Sequence, residues 1–114
     1  MEPLLGQIIM FAGTFAPRGW AFCDGSTLPI ENNPALYSIL GTTYGGDGRR
    51  TFALPDLRGR APVHEGSGRR LGSQGNLTGN LTMHEPGKGT STEAAPYLAV
   101  NYIIAVQGMF PPRN

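Results

Sequence analysis

The sequence has few of the features that would mark a nucleic-acid binder or a disulfide-stabilised protein. Its single cysteine, Cys23, rules out an internal disulfide framework, and its apolar neighbours predict a small buried side chain rather than a reactive thiol. Nine basic residues against eight acidic ones leave a net charge of +1. Nucleic-acid binding depends on clustered Lys and Arg that neutralise phosphates. We therefore expect no nucleic-acid partner, and interpret the arginines between residues 49 and 70 as solvated loop charges.

Long hydrophobic runs are also missing. No apolar stretch approaches the roughly 18–20 residues that cross a bilayer, and the first residues lack the basic and apolar regions of an export signal. The sequence therefore predicts a soluble protein without membrane insertion and without a conventional signal peptide.

Catalytic and cofactor motifs are absent too. No serine lies in a GxSxG elbow, and no pair of carboxylates has a spacing typical of acid–base catalysis. The glycine-rich stretch 42–50 lacks the GKS/T ending of a phosphate-binding loop. An enzyme remains the alternative, with acid, base or nucleophile drawn from Asp24, Asp56, His64, Glu65, Ser26, Ser67 and Ser73, but we expect no enzyme and no cofactor.

What the sequence does contain is 39% hydrophobic residues, punctuated by 17 glycines and 10 prolines. This composition predicts many short elements around one core, and so a single domain over residues 1–114 that is mainly β with one short helix, a small α+β fold. The expected strands are residues 6–15, 20–23, 51–54 and 97–106. A turn at residues 16–19 would join the first two.

The helix is predicted over residues 34–40. Pro34 suits its first turn, Asn32 or Asn33 can cap it, and Gly41 ends it. Its apolar side chains follow helical spacing and should face the core: Leu36, Ile39 and Leu40. In contrast, the nearly continuous apolar run 97–106 predicts a strand buried on both faces, and in so small a domain this favours a subunit interface as well.

Residues 65–95 lose all periodicity and are rich in Gly, Ser, Thr and Asn. A loop this long in a small domain is usually functional or disordered, so we expect a variable loop, or alternatively a short ribbon with Leu77 and Leu81 on one side. Two Asn-Leu-Thr triplets, at Asn76 and Asn80, match the glycosylation pattern, but nothing else in the chain indicates a secretory context.

The most informative stretch is Phe52–Val63, in which a short apolar strand runs into Pro-Asp and then an Arg-Gly-Arg bend. It resembles the signature of the phage tail collar domain family, of the microcystin-dependent protein type. Further blocks resemble the family in the same order: residues 6–13, 15–25, 40–46 and the carboxyl end from Pro96 to Pro111.

The resemblance implies a compact, trimeric, non-enzymatic module of the kind found in phage tail fibres. Some members hold metal ions with a His-x-His motif, which this sequence lacks: His64 and His84 stand twenty residues apart. We therefore expect no metal, although a trimer could bring three copies of one histidine together around its axis.

Two groups of residues are candidates for a role. A glycan site combines an aromatic surface with planar amide or carboxylate groups, and the ligand-binding candidates are Tyr44, Asp47, Asn76, Asn80 and His84. The alternative is that Tyr44 belongs to the core and the asparagines to turns. The second group is expected to be structural: Trp20, Asp24, Asp56, Arg58 and Arg60, with an ion pair from Asp56 to Arg58 or Arg60 stabilising the turn.

The expected function is that of a trimeric, lectin-like tail-fibre module that binds cell-surface glycans or receptors through its loops. It would belong to a virion or injection particle, or be released outside the cell. The alternative is a purely structural or adaptor component of a phage tail or contractile injection apparatus, joined to a fibre protein and without a ligand of its own.

Overall fold

The computed structural model describes residues 2–77, 83–85, 89–91 and 96–113. One helix and seven short strands lie within them. In chain order they are β1 (Ile8–Phe11), β2 (Trp20–Phe22), β3 (Thr27–Pro29), α1 (Pro34–Leu40), β4 (Thr51–Ala53), β5 (Met83–Glu85), β6 (Gly89–Ser91) and β7 (Asn101–Ala105). The prediction of a mainly β fold with one short helix is confirmed.

β7 is the central strand of the larger sheet, whose order is β1-β7-β2 with both pairs antiparallel. Ile103, Ile104 and Ala105 are at most 1% exposed. Successive side chains of a strand point to opposite faces, so this part of β7 is buried on both faces, as its apolar sequence predicts.

The predicted strand 97–106 is nevertheless too long. The pairing of β7 with β1 ends at Asn101 opposite Phe11. Beyond Phe11, β1 gives way to a bend near Gly13, whose carbonyl accepts a 2.9 Å hydrogen bond from the Asn101 amide. Among the described residues, no strand thus lies opposite 96–100, and all five of these residues are exposed. The first strand is also shorter than predicted: it ends at Phe11 rather than Phe15, because the bend near Gly13 interrupts its pairing with β7.

α1 has the predicted bounds and orientation. Leu36 and Leu40 are buried and Ile39 is packed against the core. Asn33 is the N-cap residue, one of the two predicted, but its side chain forms no capping hydrogen bond, and its amide donates to the Pro29 carbonyl at 3.0 Å. The backbone N–H of Gly41 closes the helix by donating to the Tyr37 carbonyl.

The core lies between α1, β4 and the β7 sheet. Phe52 is fully buried in it, and its ring lies 5.4 Å from that of Tyr37. Cys23 is also buried, as predicted. The core cluster is Leu5, Cys23, Leu36, Leu40, Phe52, Leu54 and Ile104.

From the end of the signature onward, residues 60–71 and 73–77 are exposed, and the backbone of β5 pairs with β6 as a two-stranded ribbon. Leu77 is half-exposed, while Leu81 lies outside the described residues. No helix in the described part of the chain is long and apolar enough to cross a membrane.

Candidate functional site

The signature turn is organised by the carboxylate of Asp56. The Arg58 guanidinium donates to both of its oxygens at 2.9 Å, and the Arg60 guanidinium lies 3.4 Å from one of them. Arg60 also donates to the Asp56 carbonyl. The predicted ion pair is therefore present, and hydrogen bonding from Arg58 lowers the pKa of Asp56.

A second family-like block, around Asp24, is hydrogen-bonded to this turn through the backbone. The N–H of Leu57 donates to the Cys23 carbonyl, Gly25 to Pro55, and Leu54 to Ser26. The Asp24 carboxylate accepts from the Ser26 N–H at 3.1 Å, shaping its own turn. Each of the two motifs therefore supplies backbone hydrogen-bond partners to the other.

Asp47 has a comparable role in the loop before β4. One carboxylate oxygen accepts the backbone N–H groups of Arg49, Arg50 and Thr51 at 2.9–3.0 Å. These bonds lower the pKa of Asp47. They occupy one oxygen of a predicted ligand-binding carboxylate, so any glycan contact would fall to its other oxygen.

The remaining ligand-binding candidates are spread over the chain. Tyr44 is half-buried against the core, and burial raises the pKa of its hydroxyl. Asn76 is exposed in the polar segment. His84 lies in β5, where the backbone alone is described, and Asn80 lies outside the described residues. Binding by these five residues stays a prediction.

Residues 6–62, half of the chain, match the family model of the Phage Tail Collar Domain. The chain belongs to this family. A relative is the short tail fiber protein gp12 of Enterobacteria phage T4, 35% identical over 83 residues. The match covers 72% of this chain and only 15% of that protein.

The match to the collar family ends at Pro62, just before the exposed polar segment. One contact links this segment back to the signature: Arg60 donates to the Gln74 side chain at 3.1 Å. In addition, a Cβ atom at Gly72 would lie 2.5 Å from the Thr43 carbonyl oxygen, so the backbone of the segment lies directly against the 42–46 loop.

The collar domain also has a surface cavity that the sequence did not reveal. It has a volume of about 190 Å³ and lies beside Trp20, between the 16–19 turn, the amino-terminal segment and the residues after β7. Trp20 was predicted to be structural, and its backbone does pair with Ala105 in the sheet. The sequence signal that could have indicated this site is Arg18-Gly19-Trp20, which places a polar and an aromatic side chain close together.

A metal site is not evident in the described part of this collar domain, where no three His, Cys, Asp or Glu side chains lie close enough to hold an ion.

Proposed function

We propose that this collar domain is part of a phage tail fibre, assembles as a homotrimer and binds cell-surface glycans through its loops. Membership of the collar family and the tail-fibre relative support a place in a fibre. The observation that supports assembly into a homotrimer is an exposed apolar surface at the β1 side of the sheet.

This apolar surface begins with the arm that precedes β7, Pro96–Val100, which contains no charged residue. Tyr97 is 92% exposed and Leu98 88%, values close to those of an unfolded chain. Leaving such side chains in water forgoes about 25 cal/mol for each Å² of apolar area that could be buried. A second chain would recover that free energy.

The arm adjoins further exposed apolar side chains. Phe11 pairs with Asn101 at the base of the arm, and the ring of Phe15 lies 6.1 Å from that of Phe11. The exposed apolar side chains of the arm, of β1 and of the bend after it are Ile8, Ile9, Met10, Phe15, Tyr97, Leu98 and Val100. Ile9 points to the opposite face of β1 from Ile8 and Met10, so a partner that buries them all must wrap around this edge strand. Together these side chains expose on the order of 800 Å², which is what one partner contributes to an interface of standard size.

The test of assembly is the mass in solution by light scattering. We expect a trimer that persists in chelator, and a shift to monomer when Tyr97 and Leu98 are both changed to Lys. The matched control changes the exposed Val63 and Leu71 to Lys, which should leave the trimer intact. A monomeric wild type would contradict the assembly, and a metal-dependent trimer would contradict an apolar interface as its cause.

The glycan part of the proposal rests on the exposed polar segment after the collar signature. Its amides can each donate to and accept from sugar hydroxyls, and Asn76 is exposed among them. A glycan array probed with the trimer should show binding that the double change Asn76→Ala and Asn80→Ala reduces. The control variant Asn114→Ala changes an asparagine far from this segment in sequence, and it should bind glycans as the wild type does.

One observation favours a second candidate, a purely structural or adaptor component without a ligand or catalytic activity. The carboxylates of Asp47 and Asp56 are both engaged by their own loops, which is how structural turns use such groups. A stable trimer that binds nothing on the array would favour this candidate over glycan binding.

A further inference from the structure

We propose that the cavity beside Trp20 binds one neutral pyranose ring, making it a glycan subsite distinct from the loops. The proposal rests on the glycan-binding function proposed above and places a contact at residues outside the polar segment 65–95. The residues lining the cavity, besides Gly19, are Glu2, Pro3, Arg18, Trp20, Gln107 and Gly108.

The walls of this cavity are fixed by backbone hydrogen bonds. The N–H groups of Val106 and Gln107 both donate to the Gly19 carbonyl, at 2.9 and 3.2 Å. On the other side, Met109 donates to Pro3 and Leu5 donates to Met109. The backbone of the cavity is therefore preformed, and binding would have to order only the exposed side chains of Glu2, Arg18 and Gln107.

The amino-terminal segment and the segment after β7, which form two walls of the cavity, come into close contact at Gly108. A Cβ atom at Gly108 would lie 2.4 Å from the Pro3 carbonyl oxygen, so a glycine is needed there for the segments to meet in this way. This contact lies at the base of the cavity wall and keeps the amino-terminal segment beside the strand β7.

The polar side chains around the cavity differ from those of the signature turns. Between described residues, the side chains of Glu2, Arg18 and Gln107 form no hydrogen bond or ion pair, and neither does the indole N–H of Trp20. The carboxylates of Asp47 and Asp56, in contrast, are already engaged. The cavity thus offers free donors and acceptors beside a half-buried aromatic ring.

This combination fits a sugar. The apolar C–H face of a pyranose can lie against an indole, while its hydroxyls take hydrogen bonds from planar amide, guanidinium and carboxylate groups. Glu2 and Arg18 contribute opposite charges, so their electrostatic potentials largely cancel for a ligand between them. The cavity should therefore prefer a neutral ring to an anionic one.

The volume of the cavity suits a single ring of a ligand. Sites for drug-sized molecules usually measure about 300–1,000 Å³, whereas this one measures about 190 Å³. Ligands of roughly a dozen non-hydrogen atoms with these few polar contacts bind with dissociation constants of about 1 mM. Three copies in a trimer would raise the apparent affinity for a surface that carries many glycans.

Trp20 is the sole tryptophan of the chain, so fluorescence excited at wavelengths that tyrosine does not absorb reports on this cavity. We would titrate the wild-type protein with methyl glycosides of glucose, galactose, mannose and N-acetylglucosamine, and with glucuronate. The expected result is a saturable change in emission with at least one neutral glycoside at millimolar concentration. Glucuronate should bind no more tightly than that glycoside.

Two variants test the residues. Gln107→Ala and Arg18→Ala should each weaken the fluorescence-detected binding roughly three- to tenfold, the effect of losing one hydrogen bond. Arg49→Ala is the matched control, because Arg49 is an exposed arginine outside the cavity. Melting curves of all three should match wild type, which separates lost binding from lost folding.

The outcomes distinguish this cavity from the proposed function. Suppose that the array detects glycans, that the double change Asn76→Ala and Asn80→Ala abolishes this binding, and that Trp20 emission does not change in the titration. Glycan binding would then stand and the cavity proposal would be wrong. The cavity proposal would also be wrong if the emission change persisted unaltered in Gln107→Ala and Arg18→Ala. Silence on the array and in the titration rejects both proposals.

Discussion

Replacing Gly46 with alanine should be among the most damaging single-methyl changes in this protein. The new Cβ would lie 2.3 Å from the Cα of Phe52 and 2.7 Å from the carbonyl oxygen of Thr51. Carbon atoms in contact normally lie about 3.5–4.0 Å apart. Both neighbours are backbone atoms of β4, and Phe52 is fully buried, so the strand itself must move.

The magnitude follows from two separate costs. Gly46 has a φ of +93°, and a left-handed backbone costs an L-residue about 1–2 kcal/mol. Displacing a packed strand adds about 1–3 kcal/mol, as overpacking of cores does. We expect Gly46→Ala to lower the free energy of unfolding by about 2–5 kcal/mol, a large share of the stability of a typical domain.

Two other glycines separate these costs. Gly59 has a φ of +64° but open space around its Cβ position, so Gly59→Ala should lose only the backbone cost of about 1–2 kcal/mol. Gly75 also has open space, without the positive φ. Gly75→Ala should be neutral or stabilise by up to about 1 kcal/mol, because alanine restricts the unfolded chain.

The assay is urea unfolding followed by circular dichroism, at one fixed protein concentration because assembly adds to apparent stability. The order of stability should be Gly75→Ala, then Gly59→Ala, then Gly46→Ala. A Gly46 variant no less stable than the Gly59 variant would show that β4 is not packed against this loop, and would refute the reasoning.

Three further predictions concern the carboxylates, the thiol and the core. The pKa values of Asp47 and Asp56 are lowered, so these carboxylates stabilise the fold above the unfolded pKa of about 3.9, and this stabilisation is lost as pH falls below that value. The double variant Asp47→Asn, Asp56→Asn should therefore have a lower melting temperature at pH 7 and a smaller drop in melting temperature on acidification. Parallel profiles of melting temperature from pH 7 to 2 would contradict this. Burial raises the pKa of Cys23 to about 11, so the thiol should resist a disulfide reagent at pH 8 in the folded protein and react in urea, whereas equal rates would disprove its burial. Ile104→Ala should lower the free energy of unfolding by about 2–5 kcal/mol, while the exposed Leu71→Ala should change it little; similar losses by denaturant unfolding would place the core elsewhere.

The sequence predicted those elements whose local signals agree with their packing. α1 has helical apolar spacing, a proline at its start and a glycine at its end, and its bounds were predicted correctly. The Asp56–Arg58 pair was also predicted, because residues two apart across a tight turn can meet whatever the rest of the fold does.

The errors arose where a distant partner decides the structure. The apolar character of residues 97–100 predicts a strand, but the pairing with β1 ends at Phe11, and no described strand continues it. Asn33 lies at the N-cap position as predicted, but its side chain is held by the Pro29 carbonyl and forms no capping hydrogen bond. The cavity beside Trp20 joins residues about ninety positions apart, and no local pattern reports such a juxtaposition.

The central place of β7 has a consequence for how the protein folds. β1 and β2 do not pair with each other; both pair with a strand that follows them by most of the chain. During synthesis they must wait, with their apolar side chains uncovered, until residues 101–105 leave the ribosome. Contacts so distant in sequence slow folding, and waiting strands are prone to aggregate. Expression of this protein should therefore benefit from low temperature or a chaperone, and changes in β7 should be more harmful to yield than comparable changes in β1 or β2.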